Sequence, residues 1–118
     1  MSNRLLRVNE LLQREISAYL HSKYSSETVG LTIKAADITG DLREAKIYFS
    51  VIDPGADAER TGRWLRARLP EIRSMVAKNV VLRHVPLLTF IPDTAGERAV
   101  RVEQLLDELD REAKKGGE

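Results

Sequence analysis

The period of the apolar residues changes from helical to extended and back along this chain, and this change constrains its fold more than any other feature. From Asn3 to about Ser22, apolar residues recur every three or four positions, which places them on one side of an α-helix. These residues are Leu5, Val8, Leu12, Ile16 and Tyr19. We therefore predict that the chain opens with an amphipathic helix.

Two segments in which apolar and polar residues alternate follow, and both are predicted to be β-strands. Their apolar faces comprise Leu31, Ile33 and Ala35 in the first segment and Ala45, Ile47, Phe49 and Val51 in the second. The opposite face, which we expect to contact solvent, carries Lys34, Lys46 and Tyr48. Between the segments, Thr39 precedes Gly40, which tolerates positive φ, and Asp41, which can hydrogen-bond its own backbone. An antiparallel hairpin is the simplest connection.

A second helical pattern carries arginine on one side and apolar residues on the other. Asp57 is the predicted N-cap of a helix beginning near Ala58. The apolar side comprises Leu65, Leu69, Ile72 and Val76, and the basic side comprises Arg60, Arg63, Arg66 and Arg73. Pro70 lacks an N–H and disfavours the α conformation at Leu69. We therefore predict two helices joined by a kink, with Pro70 as the first residue of the second helix.

A third strand and a final helix complete the predicted order. Residues 85–91 are rich in Val, Leu, Thr and Phe and are predicted to form a strand beginning beside Pro86. Thr94 and Glu97 have capping-box spacing. The apolar seam of the last helix comprises Val102, Leu105, Leu106 and Leu109. We predict one α+β domain over residues 1–110, with helices packed on one face of a three-stranded sheet, and a flexible tail over 111–118.

Composition excludes several classes of site. The chain has no cysteine, which excludes disulfides and thiolate chemistry, and with only His21 and His84 a zinc site is not expected. Asp37 and Asp41 could pair as carboxylates for acid–base chemistry, but turn formation explains them better. No apolar run approaches the roughly 20 residues of a membrane helix, and there is no signal-peptide core. We expect a cytoplasmic protein without a metal, a cofactor or membrane contact.

Basic residues are concentrated in one segment of the chain, although the net charge is only +1. Residues 60–84 contain seven Lys or Arg and a single acid, Glu71, whereas the flanking segments are mildly acidic. The seven are Arg60, Arg63, Arg66, Arg68, Arg73, Lys78 and Arg83. Such a block either keeps the surface soluble or contacts phosphates, and the scarcity of acids within it favours RNA contact.

The composition of this block indicates how RNA would be recognised. Six of its seven cations are arginine, which favours bidentate phosphate contacts and guanidinium stacking. Because aromatic residues are scarce, recognition of the shape and backbone of folded RNA fits better than base stacking along a single strand. His84 either contacts RNA, by stacking or at a phosphate, or has no binding role. Trp64 is predicted to anchor its helix to the core.

Three stretches of the chain resemble the bacterial ribosome-binding factor A family, whose members assist assembly of the small ribosomal subunit. They are RVNELLQREIS at 7–17, LTIKAADITGDLREAKIYFSV at 31–51 and IRSMVAKNVVLRHVPLLTFIPD at 72–93. The resemblance spans roughly Arg4 to Leu109. It implies a variant type-II K-homology (KH-like) domain that binds 16S rRNA in the maturing 30S subunit, supports processing of the 5′ end of that RNA and is important in the cold.

The chain departs from the family at the kink between the paired helices. Family members typically carry Ala-x-Gly there, where this chain has Arg68, Leu69 and Pro70. Proline can enforce the kink, but it offers RNA neither a backbone N–H nor glycine's lack of bulk. Arg68 can supply charge at this position instead. The loop from Ser25 to Gly30 also lacks the Pro-Arg pair often found after the first helix, so no family role is carried onto it.

The leading hypothesis is a non-enzymatic, monomeric assembly factor that presents the basic residues and His84 to ribosomal RNA phosphates. Its partners would be the 30S subunit and 16S rRNA, and it would have no small-molecule substrate. The alternative is a protein–protein adaptor, in which the free sheet face or the last helix docks a partner. The arginines would then only keep the protein soluble. A small RNA-modifying enzyme is a third possibility, but the sequence offers it no base, nucleophile or metal site.

Overall fold

A three-stranded sheet and three helices make up the part of the chain that the computed structural model describes, which is residues 3–52 and 54–93. The elements are α1 (Asn3–Lys23), β1 (Leu31–Ile38), β2 (Glu44–Val51), α2 (Pro54–Ala67), α3 (Leu69–Asn79) and β3 (Leu87–Pro92). This order confirms the predicted α+β succession as far as the third strand. The predicted last helix, with its capping box and leucine seam, and the predicted tail lie outside the described residues.

Helix α1 packs on β1 through the apolar side that its periodicity predicted. Leu5, Leu12 and Ile16 are buried, and Val8 and Tyr19 pack against the same core. Because all five lie on one side of the helix, the opposite side remains in contact with solvent.

Two polar side chains of α1 reach the backbone of β1. Oδ1 of buried Asn9 accepts a hydrogen bond from the N–H of Ile38 at 2.7 Å. Nε2 of Gln13 donates to the carbonyl oxygen of Ile33 at 2.8 Å. Since β1 is an edge strand of the described sheet, these side chains satisfy backbone groups on the side away from β2.

Strands β1 and β2 pair antiparallel, as predicted, but a bulge changes which residues of β1 face the core. The register shifts between Ile33 and Ala35, so that Lys34 is an extra residue. Beyond the bulge, Ala36 and Ile38 are buried, whereas Ala35 is half-buried. The prediction that Ala35 continues the apolar face is therefore wrong, because one inserted residue reverses the alternation.

The turn between β1 and β2 is held by Asp41. Its Oδ1 accepts hydrogen bonds from the hydroxyl of Thr39 at 2.6 Å and from the N–H of Arg43 at 3.1 Å. These bonds, that of Thr39 above all, hold the pKa of the Asp41 carboxyl below its ordinary value. Positive φ occurs at Leu42, at 63°, and not at Gly40, where the turn chemistry led us to expect it. Asp41 thus serves the turn.

Tyr48 is buried, with 2% of its surface exposed, although its place on the second face of β2 predicted solvent contact. β2 is the central strand, and Tyr48 pairs with Ala35 of β1 and Ile91 of β3. The alternation within one strand carries no information about the strands beside it, so this prediction was wrong. Lys34 and Lys46, predicted on the same face, are exposed as expected.

The predicted kinked helix pair follows β2, but α2 begins earlier than expected. It starts at Pro54, whose ring fixes φ for a helix, so Asp57 lies within the first turn and is not the N-cap. At Arg68, φ of −105° and ψ of 8° interrupt the helical path. Pro70 lies one position later in α3 than predicted, still within the first turn, where a missing N–H costs nothing.

Strand β3 pairs parallel with β2 and completes the sheet order β1-β2-β3. Parallel pairing needs a crossover, which α2 and α3 provide. Gly62 of α2 faces the sheet, and a Cβ built there would lie 3.7 Å from Cζ of Phe49, an ordinary contact distance. The core between helices and sheet includes Leu12, Ile16, Ile33, Ile47, Phe49, Leu65, Ile72, Val76 and Phe90. Within the two described ranges, no helix is long and apolar enough to span a membrane.

Candidate nucleic-acid interface

The predicted RNA-binding residues lie along α2, the kink, α3 and the segment that leads to β3. The exposed ones are Arg60, Arg63, Arg66, Lys78, Arg83 and His84, and the half-buried ones are Arg68 and Arg73. The structure thus divides one basic segment into two groups of residues with different surroundings.

Arg60, Arg63 and Arg66 form an exposed row on α2, which we call the α2 arginine row. Their three-residue spacing keeps them on one side of the helix, away from buried Leu65. Nη1 of Arg63 lies 3.4 Å from Oε1 of Glu59, one turn earlier. Both side chains are mostly exposed, so this ion pair is weak and screened by salt, and a phosphate can replace its carboxylate.

Arg68 is held by the protein itself. Its guanidinium carbon lies 3.9 Å from the ring centroid of Trp64 and 4.9 Å from that of Tyr24, which are cation–π distances. Its Nη1 also donates a hydrogen bond to the carbonyl oxygen of Trp64 at 3.0 Å. These contacts hold the two sides of the kink together, and the expectation that Arg68 brings charge to RNA stays a prediction.

Arg73 also contacts the protein, at the other side of the kinked pair. Its Nη2 donates to the carbonyl oxygen of Val85 at 3.2 Å, which joins α3 to the segment before β3. A guanidinium has five N–H donors, so this bond leaves others for a ligand. Arg73 therefore combines a structural contact with partial access to solvent.

A second group of exposed cations lies beyond the helix pair. Lys78 is in the last turn of α3, and Arg83 and His84 are in the segment between α3 and β3. All three side chains are exposed, and Val81 beside them is fully exposed. The exposed cations therefore come from two different parts of the fold, the α2 arginine row and this segment.

Glu71, the only acid of the basic block, is directed towards α1. Its Oε1 accepts hydrogen bonds from the hydroxyls of Tyr24 at 2.6 Å and Tyr19 at 2.9 Å. Nζ of Lys23 lies 3.4 Å from the same oxygen. These contacts hold the pKa of the Glu71 carboxyl below its ordinary value, with the Tyr24 hydrogen bond as the largest cause. These contacts hold the Glu71 carboxylate against the end of α1.

The end of α1 and the kink thus form one contact group, which we call the kink cluster. Its members are Tyr19, Lys23, Tyr24, Trp64, Arg68 and Glu71. The rings of Tyr24 and Trp64 meet edge to face, with centroids 5.2 Å apart. The hydrogen bond to Glu71 is the largest cause that raises the pKa of the Tyr24 hydroxyl. The pKa of Lys23 is also raised, mainly by its hydrogen bond to Tyr19 and next by its hydrogen bond to Glu71.

Sequence reasoning missed the kink cluster apart from the anchoring role of Trp64, which packs against the core as predicted. Tyr19 and Lys23 are one turn apart on α1, and that spacing was visible in the sequence. Their partner Glu71, however, lies about fifty residues away along the chain. Only the packing of α1 against α3 reveals it. Within residues 3–52 and 54–93, no group of potential metal ligands occurs.

Comparisons with known proteins find similar sequences and a similar fold. A sequence model of the ribosome-binding factor A family matches residues 4–106. A ribosome-binding factor A from Opitutus terrae is 40% identical over 112 residues, which are 95% of this chain and 92% of that protein. One from Akkermansia muciniphila is 35% identical over 111 residues, 94% of this chain and 88% of its own.

A solved structure shares the fold. The crystal structure of ribosome-binding factor A from Thermus thermophilus superposes with a TM-score of 0.67 at 19% identity, covering 75% of this chain and 94% of that one. At this identity the likeness concerns the fold alone. It confirms the predicted variant KH-like α+β architecture.

Proposed function

Because the chain belongs to the ribosome-binding factor A family, we propose that it is an assembly factor that binds 16S rRNA in the maturing 30S subunit and supports processing of that RNA. The name of the family indicates that its members bind the ribosome, so we propose the ribosome as the partner. The exposed cations supply a means of contact with RNA phosphates. The proposal assigns no chemical reaction to the chain.

The α2 arginine row is the observation that carries RNA contact. Three guanidinium groups lie exposed on one side of one helix, and the only acid of the basic block, Glu71, is bound to α1 instead of neutralising them. Because arginine holds phosphate oxygens with two parallel hydrogen bonds, such a row suits a nucleic-acid backbone.

We propose different roles for the exposed and the half-buried members of the predicted RNA-binding residues. We assign phosphate contact to the five exposed cations, and His84 accompanies them. The five are Arg60, Arg63, Arg66, Lys78 and Arg83. Arg68 and Arg73 would support this surface, because their guanidinium groups contact Trp64, Tyr24 and Val85.

Stabilisation of one RNA conformation is the proposed mechanism. A binding protein shifts an RNA folding equilibrium only by the difference between its affinities for the two conformations. Arginines spaced along one helix provide such a difference, because they bind best to an RNA whose phosphates have matching spacing. Helix α2 packs on the core through Leu65 and contacts Tyr24 through the ring of Trp64, so the backbone that carries the row is held in place.

Charge reversal tests the α2 arginine row. We expect the triple variant Arg60→Glu, Arg63→Glu, Arg66→Glu to fold normally, because the residues are exposed, and to lose cosedimentation with small ribosomal subunits. The matched control, Arg4→Glu, Arg7→Glu, Arg14→Glu, makes the same change of charge on exposed positions of α1. It is expected to keep most of the association.

The protein–protein adaptor remains the second candidate, because Val81 and Leu87 are exposed by 100% and 60% on either side of Arg83. An adaptor that docks through such apolar residues would keep its association after reversal of the α2 arginine row. Retained cosedimentation of the triple variant would therefore contradict the RNA proposal and favour the adaptor.

A further inference from the structure

A cleft of about 430 Å³ opens between α2 and the near ends of β1 and β2. Trp64, Thr61 and Arg60 line it from α2, and Val51 and Ile52 line it from the end of β2. Glu27, in the loop before β1, completes the wall. Its volume lies in the range of roughly 300 to 1,000 Å³ that is typical of small-ligand pockets. We call it the Trp64 cleft.

The apolar part of the Trp64 cleft suits a flat aromatic group. Arg68 lies over a face of the Trp64 ring at 3.9 Å, yet Arg68 is not part of the cleft wall. A different part of the indole therefore borders the cleft. Ile52, whose surface is 81% exposed, stands at the same opening and offers an aliphatic surface. The part of the half-buried indole that Arg68 leaves uncovered lies beside the exposed side chain of Ile52, and together they form a platform on which a nucleobase can stack.

The charged groups of the cleft fit a nucleotide as well. Arg60 belongs both to the cleft wall and to the α2 arginine row, so an RNA backbone on that row passes the cleft opening. Glu27, across the opening, carries a carboxylate that can only accept hydrogen bonds when ionised. Exocyclic amino groups of adenine, cytosine or guanine are suitable donors, and uracil has none.

We propose that the Trp64 cleft receives a single unstacked nucleobase that carries an exocyclic amino group, while its phosphate lies at Arg60. This inference rests on the proposed RNA binding and deepens it, because it adds base selection to a surface that otherwise contacts only phosphates. Recognition of folded RNA commonly uses such bases from loops and bulges.

Trp64 is the only tryptophan of the chain, so its fluorescence reports on the cleft. The probes are two RNA hairpins with the same stem, one with an adenine loop and one with a uracil loop. Fluorescein-labelled hairpins measure affinity by anisotropy, and unlabelled hairpins are used to follow Trp64 emission. We expect the adenine hairpin to quench Trp64 with the same midpoint as its anisotropy curve, and the uracil hairpin to bind more weakly and quench less.

A variant that narrows the cleft provides the control. Thr61→Leu adds apolar volume to the wall, and we expect it to bind the adenine hairpin roughly fivefold or more weakly and to lose the quenching. Thr32→Leu makes the same substitution at an exposed position outside the cleft and is expected to behave as the wild type. Circular dichroism of both variants establishes that they fold.

The outcomes separate the cleft from the proposed function. Salt-dependent binding without any change in Trp64 emission would overturn the cleft proposal and leave RNA binding intact. If Thr61→Leu binds and quenches like the wild type, the cleft proposal is also overturned, while RNA binding remains intact. If both hairpins quench Trp64 equally, the selection for an amino group is wrong. If Thr61→Leu keeps its RNA affinity but no longer cosediments with small subunits, the occupant is a protein side chain and the proposal is wrong. No binding of either hairpin would overturn both proposals.

Discussion

Arginines that are neighbours in the sequence have different roles in this protein because their surroundings differ. Arg63 is exposed and has a weak ion pair with Glu59, so its charge is available to a ligand. Arg68, five residues later, stacks on Trp64 and Tyr24. Charge alone does not distinguish these two residues, whereas their contacts do. At the scale of single residues, function is therefore assigned by what each guanidinium touches.

Glu71 offers a test of the kink cluster at this scale. Its folded pKa lies below the ordinary value, so its charge contributes stability above the pKa of the unfolded chain, and this contribution is lost as pH falls through the folded pKa. Lys23 and Tyr24 have raised pKa values, so their contributions are present below their unfolded pKa values and are lost as pH rises through the folded ones. At neutral pH all three contributions are present.

We therefore expect Glu71→Gln to lower the Tm by a few degrees at neutral pH. The difference from the wild type should shrink as pH falls from the ordinary pKa of a glutamate through the lower folded pKa of Glu71, because Glu71 then loses its charge in the wild type as well. Thermal melts followed by circular dichroism from acid to neutral pH measure this. Glu10→Gln, at an exposed position of α1, is the control and should change the Tm little. A Tm difference that is equal at all pH values would show that the charge of Glu71 is not the cause.

At the scale of elements, the kink depends on Pro70 within it and on contacts with residues at the end of α1, which are distant in the sequence. Pro70 prevents one straight helix, but proline does not set the direction in which α3 leaves. That direction is fixed where Glu71 is bound by Tyr19 and Tyr24 at the end of α1. The kink cluster therefore holds the direction of α3 with side-chain contacts.

The space around Gly62 in α2 allows a second prediction about stability. A Cβ there would lie 3.7 Å from Phe49, which is ordinary contact, and 3.3 Å from Nη1 of Arg66, the mobile end of an exposed side chain. Because Arg66 can move aside, Gly62→Ala should gain helix propensity and stabilise the protein by about 0.5–1 kcal/mol. Gly62→Val, whose branched side chain would press on Phe49, should destabilise it instead. Urea denaturation at equilibrium measures both free energies of unfolding, and a less stable Gly62→Ala would show that α2 cannot accept even a methyl group.

At the scale of the whole molecule, the charge distribution matters more than the net charge. The chain carries +1 overall, yet residues 60–84 hold seven cations and one acid. Folding increases this asymmetry at the surface, because it turns Glu71 towards α1 and leaves the α2 arginine row exposed. A protein of almost neutral net charge thereby has a locally cationic surface, which would attract the polyanion of the proposed function.

Binding through this surface must depend on salt. If the five exposed cations each neutralise a phosphate, the logarithm of the association constant should fall with the logarithm of salt concentration with a slope of roughly −4. Sedimentation of a lysate at low and high salt should show the protein with free small subunits, and not with complete ribosomes, at low salt only. Titration of purified subunits at several salt concentrations gives the slope, and a flat response would contradict phosphate contact.

The sequence by itself determined the succession of elements, because apolar periodicity, turn residues and proline act within a few positions along the chain. It placed α1, the hairpin, the kink at Pro70 and the strand after Pro86, and its motifs matched the family. It also located the basic block. Pairing between strands decided two features that it misplaced, the bulge at Lys34 and the burial of Tyr48 in the central strand. The positive φ lies at Leu42 and not at Gly40, within the same local turn.

Only the tertiary structure decided which cations face solvent. Trp64 and Tyr24 are forty residues apart, and Glu71 is still farther from Tyr19, so no local pattern links them. Packing of α1 against α3 brings these residues together and leaves Arg68 and Glu71 half-buried. Local physics thus positions the helices and strands, whereas the exposure of each charge depends on long-range packing that arises only when the chain folds.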